Sequence, residues 1–134
     1  MKIYIDTNVL IDFVCRREPF AENAKRLFAL GYLGKAQLST SALSFVNTMY
    51  IAHKYGHEEV KGFLLKVAEF VEVADLKGDI AISALTADWK DYEDATQNIT
   101  ATQLMSDCIV TRNKKDFKNS ALHVYTVNEI LNLL

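Results

Sequence analysis

The chain has 134 residues, 50% of them apolar and 24% charged, with one proline and a formal net charge of −2. That length suits one domain with a core of its own, and the composition excludes disordered, collagen-like and linker-rich classes. The slight negative charge gives no overall attraction to a polyanion, so affinity for nucleic acid must come from a local basic patch.

Two cysteines, Cys15 and Cys108, are too few for a disulfide framework, and each lies in an apolar stretch where a reduced thiol packs as a small hydrophobe. The N-terminal apolar run meets Asp6 too soon for a signal peptide, and no later run approaches the roughly 20 residues of a membrane span. A cytoplasmic protein with no membrane partner is expected.

In chain order, Lys2 to Ile5 is a β-branched and aromatic run ending in Asp-Thr-Asn, a strand that delivers its end to a helix start; Val9 to Val14 is that helix. Pro19 is expected to open a second helix, with Phe20, Ala24, Leu27, Phe28 and Gly31 on one face, closed by Gly31 and Gly34. Ala36 to Ser39 is a second strand. The next helix has an inner stripe of Leu43, Val46, Asn47, Tyr50 and Ile51 and stops at Gly56. Glu58 to Phe70 is helical and Val71 to Ala74 is a third strand. Gly78-Asp79 restarts helix with Ile80, Ala84 and Leu85 inward, and a further helix from Tyr92 carries Ala95, Asn98, Ile99, Thr102 and Met105 on one face. Cys108 to Thr111 is a fourth strand, Arg112 to Asn119 a polar loop, His123 to Thr126 a last strand and Val127 to Leu134 a terminal helix.

Strands spaced by helices imply an α/β fold with a mostly parallel sheet of about five strands covered on both faces, because parallel neighbours need crossover connections. Ligands of such sheets bind beyond the carboxyl ends of the strands, which is where Asp6 and the segment Thr111-Arg112-Asn113 fall. The same geometry can bring Asp6, Asp94 and Asp116 to one cleft, and hard divalent cations take oxygen ligands of that kind. Each acid has a plainer role available: helix cap for Asp6, first-turn acid for Asp94, loop charge for Asp116. Asn47 and Asn98 interrupt apolar stripes, so each amide needs a buried partner or a polar cleft.

Basic residues fall near the same edge. Arg112, Lys114, Lys115 and Lys118 surround Asp116, and Arg16-Arg17 follow the helix that Asp6 opens, so RNA phosphates could be gripped from two sides; a solvated charge run is the plainer account. His53, His57 and His123 have no cysteine partners of the zinc-site kind.

The segments Tyr4-Ile5-Asp6-Thr7-Asn8-Val9-Leu10-Ile11-Asp12, Asp91-Tyr92-Glu93-Asp94-Ala95 and Thr111-Arg112-Asn113-Lys114-Lys115-Asp116-Phe117 occur in the order and spacing of the PIN-domain family, and the chain resembles a small bacterial member over essentially all its residues. The resemblance implies a three-layer α/β/α fold in a single domain, bound Mg²⁺ or Mn²⁺, endoribonuclease activity and, as in VapC-type toxins, a cognate antitoxin partner and a homodimer. It makes Asp6, Asp94 and Asp116 the metal-binding and catalytic acids, with Thr7, Asn8 and Thr111 as polar support. The chain departs from the family pattern at Asn47, where such nucleases usually have glutamate, and at Asn113, where aspartate is usual. A neutral amide oxygen attracts a dication less than a carboxylate does, so metal binding weaker than in a four-acid site is expected. Those two amides motivate the main rival, a PIN-fold module that binds RNA or protein with little catalysis. A phosphotransfer enzyme with Asp6 as nucleophile is the lesser rival, because its usual second acid is Asn8 here.

Overall fold

A computed structural model describes residues 1–134. Its five strands, β1 (Lys2–Ile5), β2 (Gln37–Ser41), β3 (Val71–Ala74), β4 (Cys108–Val110) and β5 (His123–Tyr125), form one sheet in the order β3-β2-β1-β4-β5, with every neighbouring pair parallel. The chain winds outward from β1 to β3, then returns to β4 on the other side of β1. The direction of winding therefore reverses between β1 and β4, and a crevice opens there at the carboxyl ends of the strands.

Side chains alternate across the sheet, and both faces of the central strands are covered. Ile3, Ile5, Cys108 and Val110 join a core with α1 (Thr7–Val14), α2 (Ala21–Tyr32), α3 (Ala42–Ile51), α4 (His57–Val67) and α7 (Val127–Leu133). Tyr4 and Ile109 point the other way into a smaller core with Ala101 and Phe117, beneath α6 (Tyr92–Gln103); α5 (Gly78–Thr86) packs against α6. The result is the three-layer α/β/α arrangement.

Several local expectations change. The second helix starts at Ala21, and Pro19 lies in the turn before it. Gly31 is inside that helix and does not close it: a Cβ there would sit 2.5 Å from Leu38 Cδ1, so glycine is what lets α2 lie close to β2. Gly34, at φ +74°, makes the turn that follows.

The inner stripe expected for α3 is out of phase. Val46 and Tyr50 are 65% and 82% exposed, and the buried positions are the hydroxyl residues Ser44 and Thr48. Leu85 and Met105, also expected inward, are exposed. The polar loop after β4 contains a 3-10 turn, Lys114–Phe117, because Phe117 drops into the smaller core edge-on to Trp89.

Candidate active site

The crevice between β1 and β4 leads into a cleft of about 520 Å³, lined by Asp6, Thr7, Asn8, Asn47, Glu93, Asp94, Asn113 and Asp116 among others. Asp6 stands at the end of β1, where it takes the capping role and also lines the cleft. One carboxylate oxygen caps α1 by accepting from Thr7 N at 2.7 Å, and the other accepts from Thr111 Oγ1, just past β4, at 2.8 Å. The Thr111 hydroxyl accepts in turn from Asn113 N at 3.1 Å. Burial nonetheless pushes Asp6 up to about 6, outweighing these hydrogen bonds, with the charges of Glu93 and Asp116 adding to the rise.

Asp94 comes from the first turn of α6, where Asp91 caps the helix by accepting from Asp94 N at 2.9 Å. Desolvation, followed by the charges of Asp6, Asp91, Asp116 and Glu93, drives Asp94 up to about 7. Asp116 reaches the cleft from the 3-10 turn and is exposed. Topology thus brings the three sequence-predicted acids to one cleft.

Glu93 is a fourth acid there, which the sequence presented only as a first-turn charge. Its Oε1 accepts from Asn47 Nδ2 at 2.9 Å and from Thr7 Oγ1 at 3.5 Å. Behind it, Gln97 Nε2 donates to Thr7 Oγ1 at 3.0 Å and to Ser44 Oγ at 3.1 Å, and the Tyr4 hydroxyl donates to Gln97 Oε1. Thr7 and Ser44 share a hydrogen bond of 2.7 Å. If Ser44 donates to Thr7, the Thr7 proton is free for Glu93, so the buried network ends on a carboxylate that can accept it. Asn47 and Thr7 thus hold Glu93 in place. Ser44 and Gln97 were also missed, although the i, i+4 spacing of Glu93 and Gln97 on one helix face was a usable signal.

Asn98 does not join the cleft; its Oδ1 accepts from Ser120 Oγ at 2.6 Å, which ties α6 to the loop before β5. Asn8 lines the cleft and binds the neighbouring arginines: its carbonyl accepts from Arg17 Nη2 at 3.3 Å and its Oδ1 from Arg112 N at 3.5 Å.

The basic set divides. Arg17 and Arg112 line the cleft and share one buried partner, Asp12, whose two oxygens lie 2.8 and 2.9 Å from the respective Nε atoms. The Arg112 Nε–H is not aimed at the Asp12 oxygen, so that contact is an ion pair without an aligned hydrogen bond. Burial raises Asp12 above its ordinary pKa despite both arginines. Arg16 lies elsewhere, paired with Glu59 at 2.8 Å and set over the Phe63 ring. Lys114 pairs with Glu129, and neither Lys115 nor Lys118 lines the cleft.

None of Asp6, Glu93, Asp94 and Asp116 is paired with a basic side chain. Carboxylates concentrated in this way attract a cation, and a lining that offers carboxylate, amide and hydroxyl oxygens but no histidine or cysteine suits a hard one. No three His, Cys, Asp or Glu side chains converge tightly enough to form a ready-made cage. One or two of these carboxylates, with water, are what a hard divalent ion would use here.

Residues 2–115 match a family model described as PIN domain. Among solved structures, the chain is similar to a toxin-antitoxin complex from Klebsiella pneumoniae, with 26% identity, a TM-score of 0.67, and coverage of 93% of this chain and 97% of that one. It is similar in fold to VapBC2 from Rickettsia felis bound to a DNA fragment from its promoter, at 16% identity and TM-score 0.66 over 92% of this chain and 97% of that one. A third structure alike in fold is VapC20, a Sarcin-Ricin loop cleaving toxin of Mycobacterium tuberculosis, at 18% identity and TM-score 0.65 over 80% and 86% of the two chains. No curated protein matches the sequence.

Proposed function

The chain belongs to the PIN-domain family, and from that premise we propose that it is a divalent-metal-dependent endoribonuclease acting in the cytoplasm as the toxin of a toxin-antitoxin pair. The observation that carries the reading is the uncompensated acid cluster, Asp6, Glu93, Asp94 and Asp116, at the switch point of the sheet. The toxin-antitoxin complex among the similar structures supports an antitoxin partner, and the family supports a nuclease. No helix of the chain is long and apolar enough to cross a membrane.

Asp6, Asp94 and Asp116 are the residues that would hold Mg²⁺ or Mn²⁺, with Glu93 beside them. When bound, such a cation supplies Lewis acidity: it lowers the pKa of water towards neutrality and offsets charge on the phosphoryl oxygens. The protein's own part is orientation. Thr7 N and Thr111 Oγ1 fix the Asp6 carboxylate, and Asn47 fixes Glu93. Arg17 and Arg112, held by Asp12 on the cleft wall, bring positive charge to a backbone phosphate. In the absence of a cation, Asp6 and Asp94 retain protons to about pH 6 and 7, so cation binding releases protons and strengthens as pH rises.

The deciding experiment incubates the pure protein with structured and single-stranded RNAs in Mg²⁺, Mn²⁺ or EDTA, beside Asp6→Asn and Asp94→Asn. Metal-dependent cleavage abolished in both variants is expected; undiminished cleavage by the variants would overturn the assignment. The amides Asn47 and Asn113 at the cleft favour a second reading, a module that binds RNA or a protein partner without cutting. RNA binding without cleavage under every metal condition would select it.

A further inference from the structure

A second hollow, of about 430 Å³, adjoins the acid cleft and shares Arg112 and Asn113 with it. Its walls carry a flat cation on a flat ring: the Arg112 guanidinium lies 4.1 Å from the centroid of Phe20, which is 40% exposed at the mouth. Asp12 holds Arg112 by its Nε side, and the two terminal nitrogens make no hydrogen bond within the protein. In the same hollow, Asn23 Nδ2 donates to Asn128 Oδ1. Whichever way the two amides are turned, their mutual bond leaves one amide acceptor and one amide donor without a protein partner.

We propose that this hollow is a nucleobase subsite, taking the base of the nucleotide next to the scissile phosphate. This rests on the nuclease reading of the acid cleft for its neighbour, though not for its own chemistry. A base presents a π-face, which stacks on aromatic rings and guanidinium planes, and an edge that pairs a donor with an acceptor. The Phe20–Arg112 stack supplies the first complement and the Asn23–Asn128 pair the second; side-chain amides are the usual bidentate partners of such an edge. A bare phosphate has no use for the ring, and an apolar ligand would leave the amides and the guanidinium unpaired. Arg112 belongs to both hollows, so a base held here leaves its phosphate on the side facing the acids. Phe20 and Asn128 are thereby specificity-determining residues, and Asp12 is a positioning residue for the guanidinium.

The test has two arms. In the first, cleavage of a random-sequence RNA by the wild type is compared with Phe20→Ala and Asn128→Ala, both at exposed positions where folding is not at stake. The variants are expected to cut at a broader set of positions, with kcat/KM reduced about tenfold and most of the loss in KM, the scale of one lost stacking or bidentate base contact. Unchanged cleavage positions and KM would overturn the proposal. In the second arm, the four nucleoside 5′-monophosphates are titrated in EDTA while the side-chain amide signals of Asn23 and Asn128 are followed by NMR. Base-dependent shifts that disappear in Phe20→Ala are expected. Shifts equally produced by inorganic phosphate, or no shifts, would overturn it. If the protein cleaves no RNA while these base-dependent shifts persist, the nuclease assignment falls and the subsite stands.

Discussion

Replacing Asp6 by asparagine is expected to stabilise the metal-free protein while abolishing its activity. The ordinary aspartate value of 3.8 rises in the fold to about 6, a difference of about 2 units, and burial is the main cause. Between those two values the folded protein keeps a proton that the unfolded chain has released, so stability falls as pH rises, and above about pH 6 the whole cost is present. At about 1.4 kcal/mol per unit the charge costs about 3 kcal/mol at neutral pH. The asparagine of the Asp6→Asn variant would remove that cost but would turn a donor toward Thr111 Oγ1, which already accepts from Asn113 N, a loss of about 1 kcal/mol. The net gain is about 2 kcal/mol at pH 7.5 in EDTA, or roughly 5–10 °C in Tm for a chain of this size. Near pH 4 the gain should vanish and the variant should be slightly the less stable. Saturating Mg²⁺ should narrow the gap at pH 7.5 by stabilising only the wild type. Urea unfolding at pH 4 and 7.5, with and without metal, measures all of this. A variant less stable than wild type at pH 7.5 in EDTA, or a gap that does not change with pH, would refute the account of Asp6 as a buried, uncompensated charge.

Glu93→Gln keeps an acceptor for Asn47 and removes only the charge, so single-turnover RNA cleavage should slow by about 10–100-fold while the metal-free protein, relieved of a like charge beside Asp6 and Asp94, unfolds no more easily than wild type; wild-type rates would remove Glu93 from the site. Gln97→Leu strips partners from Tyr4, Thr7 and Ser44 at once, and a loss of about 2–4 kcal/mol in urea unfolding is expected, since buried groups left unpaired cost more than a net hydrogen bond. Gly31→Ala should gain about 1 kcal/mol of helix propensity and lose more to overpacking, because the new Cβ meets Leu38 Cδ1 at 2.5 Å and Cγ at 2.8 Å. A net destabilisation of about 1–2 kcal/mol is expected by the same measurement, and a more stable variant would show that Leu38 can move aside.

The parallel five-stranded sheet and the position of Asp6 were legible in the sequence because they follow from few choices: short β-branched runs, crossovers that enforce parallel pairing, and a capping residue at a strand end. The order β3-β2-β1-β4-β5 was not legible, since the runs carry no mark of which neighbour each one pairs with. Asp94 of α6 and Asp116 of the loop after β4 were legible because the open edge of such a sheet collects them. What the pattern concealed was the inner face of α3. Hydrophobic periodicity selected Val46 and Tyr50 as buried, yet Ser44 and Thr48 are, since part of this helix packs against the hydroxyl and amide network of Thr7 and Gln97 and not against oil. A small polar residue buried by another element's polar side chain leaves no period to detect. The Asp12 triad was equally hidden, because Arg112 reaches it across most of the sequence. Nor does sequence sort the basic residues into cleft and non-cleft sets: Arg16 and Arg17 are adjacent in sequence, yet Arg16 turns to Glu59 and Phe63 while Arg17 turns to Asp12.

The two asparagines that depart from the family pattern acquire separate meanings from their surroundings. An amide at position 47 contributes no charge to the cleft, but it donates to Glu93, so α3 supplies the holder and α6 the carboxylate. Negative charge in the cleft is therefore weighted toward the first turn of α6, where Glu93 and Asp94 follow the capping Asp91, and burial, with the like charges around it adding to the effect, pushes Asp94 up to about 7. A glutamate at position 47 would add a further like charge next to Glu93, which the Asn47 amide instead satisfies. Asn113 is different: its backbone N–H steadies Thr111, and through it Asp6, while its side chain borders both the acid cleft and the Phe20–Arg112 hollow. An aspartate there would face a proposed base and its phosphate with a negative charge. On this arrangement the amide at 47 maintains an acid, and the amide at 113 adds no negative charge between the two hollows, where Arg112 supplies a positive one.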